Sequence, residues 1–175
     1  MDSKKYRKNV GIILMNRDGL VLAGRPTQSC KDGTWQMPQG GIDPWERPVH
    51  AARRELFEET GVTQTILLKE SEREHTYHFP KWVMEEREKK GLRKYLGQTQ
   101  RWFLFLYTGT DIAADTANRK DKELTDFEWV DIRTLPEKVI PFKRKVYEAV
   151  VKEFAKYIDT IVKSFPKDSS GGSNK

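Results

Sequence analysis

The sequence predicts an α/β or α+β fold with a mixed set of strands and two main helices. Apolar runs of strand length lie at residues 9–16, 20–25 and 101–109. Helical patterns cover residues 48–59 and 142–163, where apolar side chains recur every three to four positions. Strands and helices that follow one another without an internal repeat indicate a single layered domain.

The strands and helices are bounded by residues that suit those positions. The first two strands meet at the turn sequence Arg17-Asp18-Gly19. Pro48 suits the first turn of the first helix and Gly61 suits its C-terminal cap. The helix carries an apolar stripe of Val49, Ala52 and Leu56. A charged, helix-prone segment at 81–96 and a shorter strand at 126–131 complete the pattern.

Composition sets the class of protein. The chain has 175 residues, of which 37% are hydrophobic, which is enough for one domain over residues 1–165 with a flexible tail at 166–175. No run approaches the roughly 18 apolar residues of a membrane span, and the N-terminus lacks an apolar signal core. Cys30 is the only cysteine, which excludes intramolecular disulfides and a cysteine-based zinc site. We expect a cytoplasmic monomer, or a protein of an organelle matrix after removal of a transit peptide.

The net charge points to an anionic ligand. It is +6, and the excess of Lys and Arg lies in residues 81–101 and 141–163. Basic surface beside an acidic cluster suggests a polyanion as ligand. The alternative is the mild basicity of many proteins that bind no polyanion.

The acidic cluster lies at the end of the first predicted helix. Glu55, Glu58 and Glu59 stand at i, i+3 and i+4, so they are expected to share one face. Carboxylates there repel each other and face the negative end of the helix dipole. Hard divalent cations such as Mg²⁺ prefer oxygen ligands and would remove that repulsion. On spacing alone, a solvated acidic face is the competing interpretation.

The residues around the cluster narrow this choice. Gly40 is followed after five residues by Glu46, and seven residues later by the run Arg-Glu-Leu-Phe-Glu-Glu-Thr-Gly-Val at 54–62. This pattern resembles the complete Nudix box of hydrolases that cleave a nucleoside diphosphate linked to another group. The resemblance implies the Nudix fold, in which a mixed β-sheet is sandwiched between helices. A non-catalytic nucleotide- or RNA-binding Nudix module is the alternative, although such modules usually have broken boxes.

The resemblance also implies roles for individual residues. Glu55, Glu58 and Glu59 would bind Mg²⁺, or Mn²⁺ in its place, with the Gly40 carbonyl and with more than one ion bound. Glu46 would pair with Arg54 as a structural brace, with Arg54 pointing in a different direction from Glu55. The metal would activate a water for attack on phosphorus.

Longer stretches resemble a narrower group within the family. Residues 6–16, 34–44, 97–105 and 141–154 are similar to bacterial RNA 5′-pyrophosphohydrolases and to plant-type asymmetric diadenosine tetraphosphate hydrolases. The implied reaction is removal of pyrophosphate from 5′-triphosphorylated RNA, or cleavage of a dinucleoside polyphosphate to ATP and AMP. In this group a glutamate before the last strand completes the metal site or serves as the catalytic base. Glu123 fits that position, with Glu128 as competitor, although the usual Pro-Glu-Phe reads Lys-Glu-Leu here.

The group also implies a substrate-binding set. Tyr77 and Phe142 match an aromatic clamp for a base, with ordinary core packing as the alternative. Basic and amide side chains would meet the phosphates or the nucleotide edge: Arg7, Arg25, Gln39 and Lys143. Two features depart from the group. Trp45 stands at a turn position that is usually glycine, and the loop 26–34 is about three residues longer than in relatives, which weakens the assignment of Arg25.

Overall fold

The computed structural model describes residues 5–27, 33–92, 95–117, 119–120 and 122–166. Cys30, most of the long loop and nearly all of the predicted tail lie outside the described residues. The strands are β1 (Tyr6–Met15), β2 (Val21–Pro26), β3 (Gln39–Gly41), β4 (Thr65–Glu70), β5 (His75–His78), β6 (Gly97–Tyr107) and β7 (Leu124–Val130). The helices are α1 (Pro48–Thr60), α2 (Lys81–Lys89), α3 (Ile112–Ala117), α4 (Leu135–Lys138) and α5 (Arg144–Ser164).

The seven strands form one mixed sheet, as predicted. Its main order is β4-β6-β1-β2-β7, with β3 added to β1 and β5 added to β6. The central pair β1 and β6 is parallel, from Tyr6 opposite Gly97 to Met15 opposite Leu106, whereas the other pairs are antiparallel. This long parallel pairing explains why β1 begins at Tyr6, three residues before the predicted strand.

Helices cover both faces of the sheet because side chains alternate along β1. Ile13 and Met15 belong to a core with Tyr147 and Phe154 of α5. Ile12 and Leu14 point to the opposite face, into a second core formed with α1: Ala51, Ala52 and Leu56. The predicted arrangement of a sheet between helices is therefore confirmed.

Some element boundaries differ from the prediction. The charged segment 81–96 is helical only to Lys89, and Gly91 follows with a φ of 65°. The last helix begins at Arg144, since Pro141–Lys143 form a separate 3₁₀ turn. α3 was not predicted, because a six-residue helix gives too little periodicity to detect. Within the described ranges, no helix is long and apolar enough to cross a membrane.

Candidate active site

One cavity collects most of the residues that the sequence singled out. Its volume is about 550 Å³, and it lies where β3, α1, β5 and the 3₁₀ turn before α5 meet. The predicted site residues that line it are Arg7, Gln39, Gly40, Glu55, Glu58, Tyr77, Glu123, Phe142 and Lys143. Glu59 and Arg25 are absent from the described lining, as is Glu128, which lies on β7 opposite Ala23.

Gly40 allows the helix to approach the strand. A Cβ atom at this position would lie 1.8 Å from the carboxyl carbon of Glu55 and 1.9 Å from its Oε2. A side chain at this position would displace the Glu55 carboxylate. The Gly40 backbone and the Glu55 carboxylate are therefore in direct contact at the acidic end of the cavity.

The carboxylates of Glu55 and Glu58 are bridged by a cation from their own helix. Arg54 Nη1 donates to Glu55 Oε1 at 2.8 Å and to Glu58 Oε2 at 3.1 Å. Burial raises the pKa of Glu55, and the hydrogen bond and charge of Arg54 oppose that shift. We expected Arg54 to point away from Glu55, and that expectation was wrong, because the long side chain folds back along the helix.

The same guanidinium joins the helix to the loop before it. Arg54 Nε and Nη2 donate to the two carboxylate oxygens of Glu46 at 2.9 and 2.8 Å, and Nη2 also reaches the Gly41 carbonyl at 2.9 Å. The hydrogen bond from Arg54 lowers the pKa of Glu46. The backbone N–H of Asp43 donates to Glu46 as well, at 3.1 Å. This bidentate contact fixes the loop that carries Gly41 against α1.

Glu59 lies apart from the other two acids. Its side chain is 1% exposed, and its Oε2 accepts a hydrogen bond from the backbone N–H of Gln39 at 2.9 Å. Successive helical residues are about 100° apart around the axis, so Glu59 turns under β3 while Glu58 remains half exposed. The three acids therefore do not share one face as expected. Glu55 and Glu58 line the cavity, and Glu59 lies beneath it.

The donor set suits a hard divalent cation. Carboxylates of Glu55, Glu58 and Glu123 and the backbone of Gly40 bring only oxygen donors to one cavity, and Mg²⁺ prefers oxygen. Among the residues that the structure describes, no three acidic, histidine or cysteine side chains are already gathered as a ligand group. Arg54 bridges Glu55 and Glu58, so these two carboxylates already share a positive charge.

Aromatic and basic side chains form the opposite end of the cavity. The rings of Tyr77 and Phe142 are 5.7 Å apart and tilted by 41°, and Lys143 Nζ lies 5.8 Å from the Tyr77 ring. Tyr77 is buried, and its hydroxyl donates to Gln98 Oε1 at 2.5 Å. Burial raises the pKa of Tyr77 well above its ordinary value. Phe142 is half-buried, so it is the ring with surface available for a base.

The remaining predicted contacts divide into two groups. Gln39 lines the cavity, and its side-chain oxygen accepts from Gln100 Nε2 at 3.0 Å, which fixes its orientation. Arg7 also lines the cavity, with its guanidinium packed on Gly41. The Arg25 guanidinium instead stacks 5.1 Å from the Trp35 ring. The structure therefore does not bring Arg25 to the site.

Sequence reasoning missed one wall of the cavity. The inner face of α2 contributes Val83, Glu86 and Arg87, followed by Lys90 after the helix. These residues follow the spacing of one helix face. The charged segment was visible in the sequence, but its polar residues surround the helix and do not show which side faces a ligand.

Comparisons with known proteins match most of the chain. Residues 5–150 match the model of the NUDIX domain. The chain is 44% identical over 156 residues to an RNA pyrophosphohydrolase of Erythrobacter litoralis, covering 88% of this chain and 93% of the relative. It is 41% identical to an RNA pyrophosphohydrolase of Rhodopseudomonas palustris over 98% of both chains.

Solved structures show the same fold at lower identity. A binary complex of the C. elegans Ap4A hydrolase has a TM-score of 0.62 at 16% identity, covering 88% of this chain and 98% of that one. The E. coli dihydroneopterin triphosphate pyrophosphohydrolase has a TM-score of 0.61 at 17% identity, covering 84% and 97%. At these identities the likeness concerns the fold alone.

Proposed function

Since this chain belongs to the Nudix domain family and is a Nudix hydrolase, we propose that it removes pyrophosphate from the 5′ end of triphosphorylated RNA. The observation that carries the proposal is one cavity with Glu55, Glu58 and Gly40 at one end and Phe142 with Lys143 at the other. Such a cavity can hold a metal-bound polyphosphate and a stacked base together. The relatives named RNA pyrophosphohydrolase cover nearly the whole chain, which favours RNA over other phosphoanhydrides.

Nudix hydrolases work with divalent metal ions, and here we propose Mg²⁺, replaceable by Mn²⁺, with more than one ion bound. Glu55, Glu58, Glu123 and the Gly40 carbonyl would hold the metal, and Glu59 would support it from below through Gln39. When bound, the metal neutralises charge on the phosphate oxygens and lowers the pKa of the attacking water.

The residues of the chain then act on the substrate. Glu123 would accept the proton of the attacking water. The oxygen of the attacking water forms a bond to phosphorus, and the phosphoanhydride bond breaks. The products are pyrophosphate and an RNA with a 5′-monophosphate. Arg7 and Lys143 would hold phosphate oxygens, and Gln39 would meet the nucleotide edge. Phe142 would stack on the first base, with Tyr77 supporting its ring.

We further propose that residues 1–165 form the catalytic domain of a cytoplasmic monomer or of an organelle-matrix protein. A reducing compartment is supported by the single cysteine.

A direct competition tests the substrate. The protein is incubated with Mg²⁺, a 5′-triphosphorylated RNA and diadenosine tetraphosphate, and kcat/KM is measured for each. We expect the higher value for the RNA, with loss of both activities in EDTA and recovery on addition of Mg²⁺. A clear preference for the dinucleotide, with ATP and AMP as products, would replace RNA by a dinucleoside polyphosphate as the substrate. Binding of RNA without release of pyrophosphate would indicate a non-catalytic module.

A further inference from the structure

The wall formed by α2 is built into the base-binding end of the cavity. The Trp82 ring on the first turn of α2 packs edge-on against Phe142, with 6.2 Å between centroids. One turn later, the Arg87 guanidinium lies over the Phe79 ring at 5.3 Å, and Phe79 in turn contacts Tyr77. Arg87 therefore stands beside the aromatic pair and lines the same cavity.

Arg87 carries a charge that has no carboxylate partner among the described residues. Its Nε atom is buried and has no hydrogen-bond partner in the described part of the chain, and no carboxylate of that part lies within ion-pair distance. Burial lowers the pKa of Arg87, and the charge of Arg7 lowers it further. Arg7 and Arg87 both line the cavity, and Arg87 contacts the ring of Phe79. Two positive charges on one cavity indicate a binding site for an anion.

The position of Arg87 indicates which anion this is. The Arg7 guanidinium packs against Gly41 of β3, beside the acidic end where the polyphosphate would bind, although its charge also acts on Arg87. Arg87 lies over Phe79 at the aromatic end, so with a base stacked on Phe142 and the polyphosphate at the acidic end it would face the other side of the nucleoside. The phosphate on that side of the nucleoside is the one that links it to the next nucleotide.

We propose that Arg87 binds the first internucleotide phosphate of the RNA, an inference that rests on the proposed function. The contact makes the enzyme distinguish a triphosphorylated RNA from a dinucleoside polyphosphate, which has no 3′ phosphodiester. Arg87 is a specificity-determining binding residue that holds the body of the RNA while the metal end acts on the triphosphate.

A cycle of two enzymes and two RNAs tests this contact. The enzymes are the wild type and Arg87→Met, which removes the charge and retains an apolar contact with Phe79. The RNAs are identical except that one carries a neutral methylphosphonate at the first internucleotide linkage. We expect Arg87→Met to lower kcat/KM about tenfold on the natural RNA, as for loss of a charged hydrogen bond, and to change it little on the neutral RNA. Hydrolysis of diadenosine tetraphosphate should be unaffected.

Two further variants make the outcome decisive. Lys89→Met removes an exposed charge from the same helix outside the cavity lining, and should behave as wild type on both RNAs. Arg87→Gln repeats the test with a polar side chain, and both Arg87 variants should unfold near the wild-type temperature, because Arg87 is only half-buried and forms no ion pair with the described residues.

Equal losses on the two RNAs, or a matching loss on diadenosine tetraphosphate, would overturn the assignment of Arg87 while leaving the proposed function intact. A wild-type protein that releases no pyrophosphate from either RNA would overturn the proposed function, and this inference with it.

Discussion

The backbone N–H of Gln39 donates a hydrogen bond to the buried carboxylate of Glu59 at 2.9 Å. This bond joins the strand at the base of the cavity to the helix that carries the cavity acids. Glu59 therefore has a structural contact that Glu55 and Glu58 lack, although all three belong to one short stretch of sequence. The difference can be tested by stability and by activity separately.

Replacement of Glu59 should destabilise the protein. Glu59→Ala removes the acceptor of the Gln39 N–H and leaves a donor unsatisfied in a part-buried position, which typically costs about 1–3 kcal/mol. Urea unfolding followed by circular dichroism measures the change. Glu58→Ala is the matched control, because that side chain is half exposed and should leave the unfolding midpoint near the wild-type value. Equal effects of the two substitutions would contradict the distinction.

Activity should depend on Glu58 even where stability does not. Glu58→Gln keeps the size of the side chain and replaces a negatively charged carboxylate of the proposed metal site by a neutral amide. We expect kcat to fall by orders of magnitude at saturating Mg²⁺, measured as pyrophosphate release, with an unchanged unfolding midpoint. Glu128→Gln, on β7 and outside the described cavity lining, should retain wild-type turnover. Near-normal hydrolysis by Glu58→Gln would remove Glu58 from the metal site.

The order of residues was sufficient to predict the box and its location. Gly40 and Glu55 were placed together by the resemblance to the Nudix box, and in the structure the Gly40 backbone contacts the Glu55 carboxylate. The contacts of Arg54 could not be predicted, since they depend on which way a long flexible side chain folds back. Spacing along a helix cannot separate Glu58 from Glu59 without knowing which side of α1 lies under β3.

Tertiary packing also determines the position of the Arg25 side chain and of the α2 wall. Arg25 has the right residue type, but β2 directs it to Trp35 rather than to the cavity. The α2 wall is held beside the cavity by tertiary contacts such as that of Trp82 with Phe142, which are distant in the sequence. Neither result follows from local pattern.

Phe142 should contribute to binding rather than to folding. Its ring is half-buried against Tyr77 and Trp82, and stacking on a base is worth about 1–3 kcal/mol. Phe142→Ala should therefore raise KM for triphosphorylated RNA by roughly tenfold, with a smaller change in kcat. Phe142→Tyr is the control that retains an aromatic face and should stay near wild type. If both kinetic constants are unchanged in Phe142→Ala, the ring does not bind the base.

His75 should make stability depend on pH. Burial lowers the pKa of His75 below the ordinary value of 6.5, although Glu153 Oε2 at 3.5 Å opposes the shift. The unfolded chain then binds a proton more readily than the folded chain, so the free energy of unfolding falls as the pH drops below about 6.5. His75→Gln should lose this part of the dependence, measured by urea unfolding between about pH 7 and 5. His50→Gln, at an exposed position, should retain it.

Trp45 should be a source of strain that glycine relieves. Its φ is 69° and its side chain is fully exposed. The Glu46 N–H donates to the Asp43 carbonyl at 3.1 Å, and Pro44 precedes Trp45, so the four residues form a turn of type II, whose third position favours glycine. A left-handed conformation costs a residue with a Cβ atom about 1 kcal/mol or more.

Trp45→Gly should therefore raise the unfolding midpoint in urea. Trp45→Ala is the matched control, because it removes the indole and retains the Cβ atom that causes the strain. We expect no gain in stability from the alanine variant. A gain of equal size in both variants would assign the effect to loss of the exposed indole, and a loss in Trp45→Gly would show that the tryptophan stabilises the turn.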